Sequence, residues 1–271
     1  MLKGVVDHKW PPNAEQRKKW MHEPTMAKNK ERLEAALFGV SIAAVLPSVE
    51  EVIMAIDKND PNSAGGEDLI QYRALQLMSF HTKRALAGLL GLWWVDKAIH
   101  ESKHKVEICS LHKKGDRMDL RNKRGIGLVS KLVLIMEMVL ITRMTNALHK
   151  AGTRSKAQGG ATPGVQTMDT VAAIINVISK AYREKSPLFM AKFDIFKFFD
   201  VISWKAFENA HLFFSFDKNT IDLARLFWTN FKGVARSRFG RSKNFDIKVG
   251  NIQGLARSPF HSCLVLDMFL L

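Results

Sequence analysis

The chain has 271 residues, of which 46% are hydrophobic, and this is enough to bury a sizeable core. Its 41 Lys and Arg residues outnumber its 26 Asp and Glu residues, and the formal net charge is +15. A surplus of this size is typical of proteins with a polyanionic partner such as nucleic acid, although a basic protein without such a partner is the alternative. The only two cysteines, Cys109 and Cys263, exclude a disulfide framework and a cysteine-based zinc site. This cysteine usage fits a reducing, intracellular compartment.

The apolar runs at 33–46, 85–95 and 132–141 are all shorter than the roughly 18 unbroken apolar residues that read as a membrane-spanning helix. The N-terminus carries no apolar segment of the kind found in signal peptides. The sequence therefore predicts no membrane partner and no secretion, with the cytoplasm or the nucleus as the compartment.

The first hundred residues predict mainly helices. Residues 1–32 are polar and indicate a flexible arm or a frayed helix, and the apolar run 33–46 predicts a helix that ends before Pro47. Ser48 precedes an acidic first turn and is the expected cap of a short amphipathic helix. Residues 60–66 predict a loop from their Pro, Asn and Gly content, and residues 69–100 return to helical spacing.

The rest of the chain mixes strands with helices. Predicted strands lie at 106–111, 125–129 and 188–193, with a hairpin at 234–249; predicted helices lie at 132–148, after a cap at Thr167, and at 219–232. Apolar residues at helical spacing form one stripe on the helix after Thr167: Val171, Ile174, Ile175, Ile178 and Tyr182. Because helices dominate and the few strands are grouped late, the sequence predicts an α+β fold.

Two motifs near the C-terminus carry recognisable chemistry. In the first, Lys192-Phe-Asp-Ile-Phe-Lys-Phe-Phe-Asp200, a predicted strand delivers Asp194 into a turn and a second carboxylate follows six residues later. In the second, Val249-Gly-Asn-Ile-Gln-Gly-Leu-Ala-Arg-Ser-Pro259, a glycine-punctuated loop runs into an apolar helix, with Ser258 as its expected cap and Pro259 at its first position.

These motifs resemble motifs A and B of the reverse transcriptases of non-LTR retrotransposons. The resemblance extends from about Val49 to Leu271, and three more landmarks stand upstream in the family's order. They are Ser63-Ala-Gly-Gly-Glu-Asp68, the fingers pattern Leu111-His-Lys-Lys-Gly-Asp116 with Asn122-Lys-Arg-Gly-Ile-Gly-Leu128, and the loop Gln158-Gly-Gly-Ala-Thr-Pro-Gly164. A group II intron type of reverse transcriptase is a subordinate alternative, which the His-Lys-Lys-Gly-Asp form disfavours.

The resemblance implies the fingers and incomplete palm of a right-hand polymerase, with the thumb absent. Its expected organisation is an N-terminal extension at 1–47, a fingers-like region at 48–185 and a partial palm at 186–271. The implied activity is RNA-directed DNA synthesis, with an RNA template, a DNA primer and deoxynucleoside triphosphates as partners. The chain departs from the family pattern at scattered positions, among them Lys123, Ala161 and Phe198.

The resemblance also assigns a metal site. Nucleotidyl transfer uses two Mg²⁺ ions, and hard oxygen ligands suit this ion. Asp194 is implied as the catalytic residue and metal ligand, joined by the backbone carbonyl of Ile195, while Asp200 is not expected to bind metal. The alternative interpretation is structural, with Asp194 ending a strand and Asp200 capping a helix.

Six residues are implied to bind the incoming nucleotide. Phe199 stands at the place of the aromatic gate that excludes a 2′-hydroxyl, although it is equally well a core phenylalanine. The loop contributes Gln253 against the base pair and Gly254, whose missing side chain allows close approach. Lys113, Lys114 and Arg124 are the expected triphosphate contacts; a solvated charge run is the alternative.

The predicted hairpin at 234–249 is strongly basic. Arg236, Arg238, Arg241 and Lys243 are the expected contacts to a nucleic-acid backbone, which would be independent of base sequence and sensitive to salt. A solvated basic hairpin without a partner is equally compatible with this pattern.

The sequence ends at Leu271, before any Tyr/Phe-x-Asp-Asp motif that would supply the family's other metal ligands. We therefore expect no polymerase activity from these 271 residues. A catalytically dead, basic nucleic-acid-binding remnant is the first alternative. A fragment that never folds and aggregates through its apolar C-terminal helix is the second.

Overall fold

The computed structural model describes residues 23–119, 122–255 and 257–271. The helices are α1 (Glu23–Leu37), α2 (Val49–Asp57), α3 (Tyr72–Gln76), α4 (Phe80–Asp96), α5 (Lys131–Ala151), α6 (Thr167–Arg183), α7 (Phe198–Val201), α8 (Trp204–Phe213), α9 (Lys218–Arg225) and α10 (Arg257–Leu270). The strands are β1 (Lys105–His112), β2 (Lys123–Leu128), β3 (Lys232–Ser237), β4 (Gly240–Arg241) and β5 (Phe245–Asp246). Helices and one mixed sheet make this an α+β fold, as the sequence predicts.

The sheet joins segments that are far apart in the chain. Its order is β2-β1-β3-β4, and β5 also pairs with β3. β1 runs antiparallel to β2, with Glu107 opposite Leu128, and parallel to β3, with Lys105 opposite Lys232. The strands predicted at 106–111 and 125–129 are thus confirmed, and both predicted regions, 48–185 and 186–271, contribute strands to one sheet.

Helix α5 is the centre of the hydrophobic core. Val133, Ile135, Met136, Leu140 and Met144 are at most 1% exposed, and the helix packs against α1, α2 and α10. The predicted helix at 132–148 is therefore confirmed. By length and composition α5 is long and apolar enough to cross a membrane, but half of its most apolar window is buried inside the protein. The bent pair formed by Thr25–Ala44 and α2 meets the same criteria if it is counted as one span.

Ser48 caps helix α2, as predicted, and does so within a capping box. The Ser48 hydroxyl accepts a hydrogen bond from the Glu51 amide at 3.2 Å, and the Glu51 carboxylate accepts one from the Ser48 amide at 2.8 Å. The same carboxylate accepts hydrogen bonds from Nε and from one Nη of Arg143 on α5, both at 2.6 Å. Because the guanidinium fork is planar and bidentate, this contact fixes the start of α2 against the core helix.

Two ion pairs bind α10 to the rest of the protein. Arg257 donates to Glu137 on α5 at 2.6 Å, and both side chains are at most 2% exposed. Arg154 donates to Asp267 at 2.8 Å, and the Asp267 side chain is fully buried. Burial raises the pKa of the Asp267 carboxyl above its usual range, against the opposing effect of Arg154.

The predicted buried strand at 188–193 is wrong. These residues have irregular backbone, and Phe189 and Phe193 are 92% and 89% exposed. None of the described strands pairs with this segment, and an extended apolar run is buried only when a neighbouring strand satisfies its backbone. The stripe on α6 likewise lies on the surface, from Val171 at 38% to Tyr182 at 85% exposed, because helical periodicity does not supply a packing partner.

Other boundaries also shift. Helix α1 already begins at Glu23 and ends at Leu37, because Phe38 and Gly39 take left-handed backbone angles, φ 53° and 72°. Gln166, not Thr167, is the cap of α6. The predicted helix at 219–232 stops at Arg225, and Asn230, with φ 63°, turns the chain so that Lys232 enters β3. Residues 1–22 of the predicted arm lie outside the described residues.

Two buried histidines meet where α8 and α10 cross. The rings of His211 and His261 are 5.0 Å apart between centroids, and both side chains are at most 1% exposed, against Phe207 and Trp228. Burial lowers the pKa of His211 to about 4, although its hydrogen bond to Phe207 and the charge of Glu208 oppose the shift. Burial also lowers the pKa of His261, with the charges of His211 and Arg257 adding to the effect.

These shifts predict stability that falls on acidification. A histidine whose folded-state pKa is depressed binds its proton in the unfolded state first, so stability is complete above about pH 6.5 and is lost as the pH falls towards 4. The free energy of unfolding should decrease by up to about 1.4 kcal/mol per pH unit for each histidine. Urea denaturation between pH 7.5 and 4 measures this slope.

The variant His261→Phe should flatten that slope, whereas Ser110→Ala, at an exposed position on β1 without a titratable group, should leave it unchanged. An unaltered slope in His261→Phe would show that His261 does not contribute to the acid transition.

Candidate functional site

The two C-terminal motifs come together in the structure. The motif A turn, which is α7, and the motif B loop, residues 249–254, are joined by backbone hydrogen bonds. The Asn251 amide donates to the Phe199 carbonyl at 2.6 Å, and the Gly250 amide donates to the Ile202 carbonyl at 3.0 Å. The Gln253 side-chain amide donates to the Asp200 carboxylate at 3.4 Å. Two segments about fifty residues apart in the chain thus form one wall.

Two glycines make this approach possible, as the sequence predicts. Gly250 has φ 88°, and a Cβ there would lie 2.7 Å from the Asp200 carbonyl oxygen. Gly254 has φ 100°, and its Cβ would lie 3.2 Å from the Gly127 carbonyl oxygen. The left-handed backbone and the close contact both exclude a larger side chain at Gly250.

The start of α10 departs from the prediction. Arg257 is the first residue of the helix, so Ser258 lies inside it and is not its cap. The Ser258 hydroxyl instead donates to the Ile252 carbonyl at 2.6 Å and contacts the Asn251 side chain at 3.1 Å. Serine here holds the motif B loop onto the helix.

A cavity of about 570 Å³ lies beside the two motifs. Strand β2 forms another wall, since the Gly127 amide donates to the Gln253 carbonyl at 2.8 Å. The remaining walls come from α3, α5 and the loop after α2. The lining residues are Asn59, Ser63, Tyr72, Ile126, Lys131, Leu134, Met138, Phe199, Gln253, Gly254, Leu255, Ser258 and Pro259.

The predicted nucleotide-binding residues divide into two groups. Phe199, Gln253 and Gly254 line the cavity. Arg124 is exposed on β2, two residues before the lining residue Ile126 and therefore on the same face of the strand. Lys113 and Lys114 are exposed beyond the end of β1 and do not line the cavity.

The predicted metal ligands stand apart from this cavity. Asp194 is exposed and Ile195 is 50% exposed, both in irregular backbone ahead of the motif A turn. Their oxygens are of the kind that Mg²⁺ prefers, but they supply two of the six ligands that the ion requires. Within residues 23–119, 122–255 and 257–271, no three His, Cys, Asp or Glu side chains lie close enough to hold a metal ion. The residues present therefore do not fit a complete magnesium site.

The basic hairpin contains arginines with a structural partner. Glu107 on β1, which is 4% exposed, accepts hydrogen bonds from Arg236 at 3.1 Å and from Arg241 at 2.6 Å. Arg238 lies over the exposed ring of Phe239 at 4.6 Å, and Lys243 is exposed. Of the four predicted contacts, Arg238 and Lys243 thus extend into solvent without a carboxylate partner among the described residues.

Sequence reasoning missed two residues of this region, Glu107 and Lys131. Glu107 reads as one polar position of an alternating strand, and its arginine partners lie well over a hundred residues later. Lys131 opens an apolar helix and lines the cavity. Neither position carries a motif that could have indicated its contacts.

No family model matches the chain, and no curated protein matches it significantly.

The exposure of the hairpin predicts unequal effects on RNA binding. Arg238→Ala and Lys243→Ala should each weaken binding to a single-stranded RNA irrespective of its sequence. Each should also lower the slope of log K against log salt by about 1, because one phosphate contact is lost. Fluorescence anisotropy with a labelled 20-mer over a salt series gives both quantities.

Two controls accompany this measurement. Lys150→Ala, on the exposed end of α5, should leave the slope unchanged. Arg236→Ala should lower the melting temperature, since it removes a partner of the buried Glu107. Its effect on RNA affinity should be smaller than that of Arg238→Ala. Unaltered slopes in Arg238→Ala and Lys243→Ala would exclude the hairpin as a nucleic-acid surface.

Proposed function

We propose that this chain comprises the fingers and part of the palm of an RNA-directed DNA polymerase of the non-LTR retrotransposon type. The proposal places the fingers at 48–185 and the palm at 186–271, in an intracellular protein with an RNA template, a DNA primer and deoxynucleoside triphosphates as partners. On its own the chain would bind nucleotide and nucleic acid without extending a primer.

One observation carries the proposal. The motif A turn, the motif B loop and β2 are recognised separately in the sequence. In the structure they are joined by backbone hydrogen bonds and line a single cavity. An aromatic ring (Phe199), a side-chain amide (Gln253) and a glycine (Gly254) line the same cavity. The ring suits contact with the sugar and the amide suits hydrogen bonding to the base. The glycine lets the nucleotide approach the backbone closely.

The expected chemistry sets a limit on activity. In the family that the motifs resemble, Mg²⁺ supplies charge neutralisation for nucleotidyl transfer. Asp194 and the Ile195 carbonyl would be two of its ligands, and the described residues form no cluster of three His, Cys, Asp or Glu side chains that could complete the site. What the chain's own residues provide is the cavity beside the two motifs, with Arg124 exposed on the strand that forms one of its walls.

A second candidate is a nucleic-acid-binding protein without catalytic function. The exposed Asp194, which belongs to no cluster of three metal-ligating side chains among the described residues, favours this candidate. So do the solvent-exposed Arg238 and Lys243. The two candidates differ in whether nucleotides bind selectively in the cavity.

Nucleotide selectivity tests the first candidate. The chain should bind dTTP more tightly than ribothymidine triphosphate, which differs from it only by the 2′-hydroxyl, because the Phe199 ring would leave no room for that group. Phe199→Val should reduce this preference by about tenfold, the lower end of what one group in a pocket contributes. Isothermal titration with each nucleotide in the presence of Mg²⁺ measures the ratio.

Phe196→Val is the matched control, since Phe196 is 80% exposed three residues earlier and does not line the cavity. Equal affinity of the wild-type chain for the two nucleotides would remove the gate assignment.

Primer extension separates binding from catalysis. The wild-type chain and Asp194→Ala should bind an RNA–DNA primer-template equally well, and neither should incorporate dTTP. Asp200→Asn serves as a carboxylate control outside the expected metal site. Incorporation by the wild-type chain and by Asp200→Asn, but not by Asp194→Ala, would show that a working metal site assembles on Asp194 and would contradict the expected inactivity.

A further inference from the structure

Lys131 is a buried cation in the wall of the cavity. It is the first residue of α5, its side chain is 6% exposed, and it lines the same cavity as residues of the two motifs. Lysine is almost never buried to this extent without a partner, because desolvation of the ammonium group is costly.

The neighbours of Lys131 do not neutralise it directly. Its amino group lies 4.8 Å from the centre of the Tyr72 ring, a contact that favours the charged form. Burial lowers the pKa of Lys131, and the more distant Asp68 carboxylate opposes this shift. Asp68 is itself occupied, by Lys103 at 2.8 Å and by the Ser130 hydroxyl at 2.6 Å. In the part of the chain that the structure describes, Lys131 forms no ion pair.

A second polar side chain in the lining of the cavity also lacks a partner among the described residues. The Ser63 hydroxyl is buried and makes no hydrogen bond to any described residue. An ammonium group and a hydroxyl, both hydrogen-bond donors, therefore line one cavity without an acceptor among the described residues. A buried donor without a hydrogen bond costs free energy that a bound acceptor would recover.

We propose that Lys131, assisted by Ser63, binds a phosphate group of a ligand in this cavity. The proposal rests on the proposed nucleotide site and adds to it an anchor that no motif indicates. The anion has two possible sources, the triphosphate of a free nucleotide and the backbone phosphate of a bound strand. A phosphate oxygen accepts from both donors and supplies the charge that the described residues leave uncompensated.

The test compares Lys131→Met with Lys150→Met, a lysine at the exposed far end of the same helix. Inorganic triphosphate, dTTP, thymidine and a single-stranded 12-mer RNA serve as four probes in isothermal titration, and thermal melting is recorded for each variant. Lys131→Met should weaken the binding of triphosphate and of dTTP by at least about tenfold and leave thymidine unaffected, because a charge-assisted hydrogen bond is lost. Lys150→Met should change none of them.

Melting distinguishes a binding role from a structural one. Methionine keeps the length of the side chain and removes the buried charge, so Lys131→Met should melt at the same temperature as the wild-type protein or higher. A lower melting temperature with unchanged triphosphate affinity would assign Lys131 to the fold and overturn the proposal. Ser63→Ala provides a second variant, expected to weaken triphosphate binding about threefold without a loss of stability.

The outcomes separate this proposal from the function on which it rests. Weaker RNA binding by Lys131→Met, with triphosphate affinity unchanged, would identify the strand as the source of the phosphate. Triphosphate binding that depends on Lys131, together with equal affinity for dTTP and ribothymidine triphosphate, would refute the polymerase pocket and retain the phosphate site. Selective dTTP binding that Lys131→Met does not change would refute the phosphate site and retain the polymerase pocket.

Discussion

The buried ion pair between Arg257 and Glu137 is the constraint on which the site depends. Arg257 is the first residue of α10, three positions after Gly254, so its position fixes where the motif B loop ends. Desolvating both charges costs several kcal/mol, and their mutual attraction offsets this only while both are present. Loss of one partner typically costs about 3–5 kcal/mol. The loop is therefore held to the core helix by an ion pair in which neither residue can be replaced alone without a large loss of stability.

A second buried charge extends the same arrangement along α10. Arg154 binds Asp267 and also donates to the carbonyls of Gly160 and Ala161, at 3.0 and 2.6 Å. One guanidinium thus fastens the glycine-rich loop after α5 to the far end of the helix that begins the motif B wall. Since α5 carries Glu137 and precedes Arg154, both ends of α10 are tied to the same core helix and its exit loop.

Local signals in the sequence predicted local structure well. The Ser48 cap, the long apolar helix α5 and the strand β1 depend on neighbours a few residues away, and all three are confirmed. The errors concern burial by distant segments: the run at 188–193 has strand character but no strand beside it. Three of the six predicted nucleotide-binding residues line the cavity. Lys131 could not be predicted, because what distinguishes it is the absence of an ion-pair partner among the described residues.

Most of the contacts at this site do not depend on the identity of the surrounding side chains. The contacts between motif A, motif B and β2 are mainly hydrogen bonds between backbone atoms, which most side chains leave unaffected. Lys123 pairs with His112 through the backbone, and Phe198 packs against the core, so the structure accommodates both residues. Gly250 is different, because any side chain there would meet the Asp200 carbonyl. We therefore expect substitutions at the glycines to disrupt the cavity more than substitutions at the charged or aromatic positions around it.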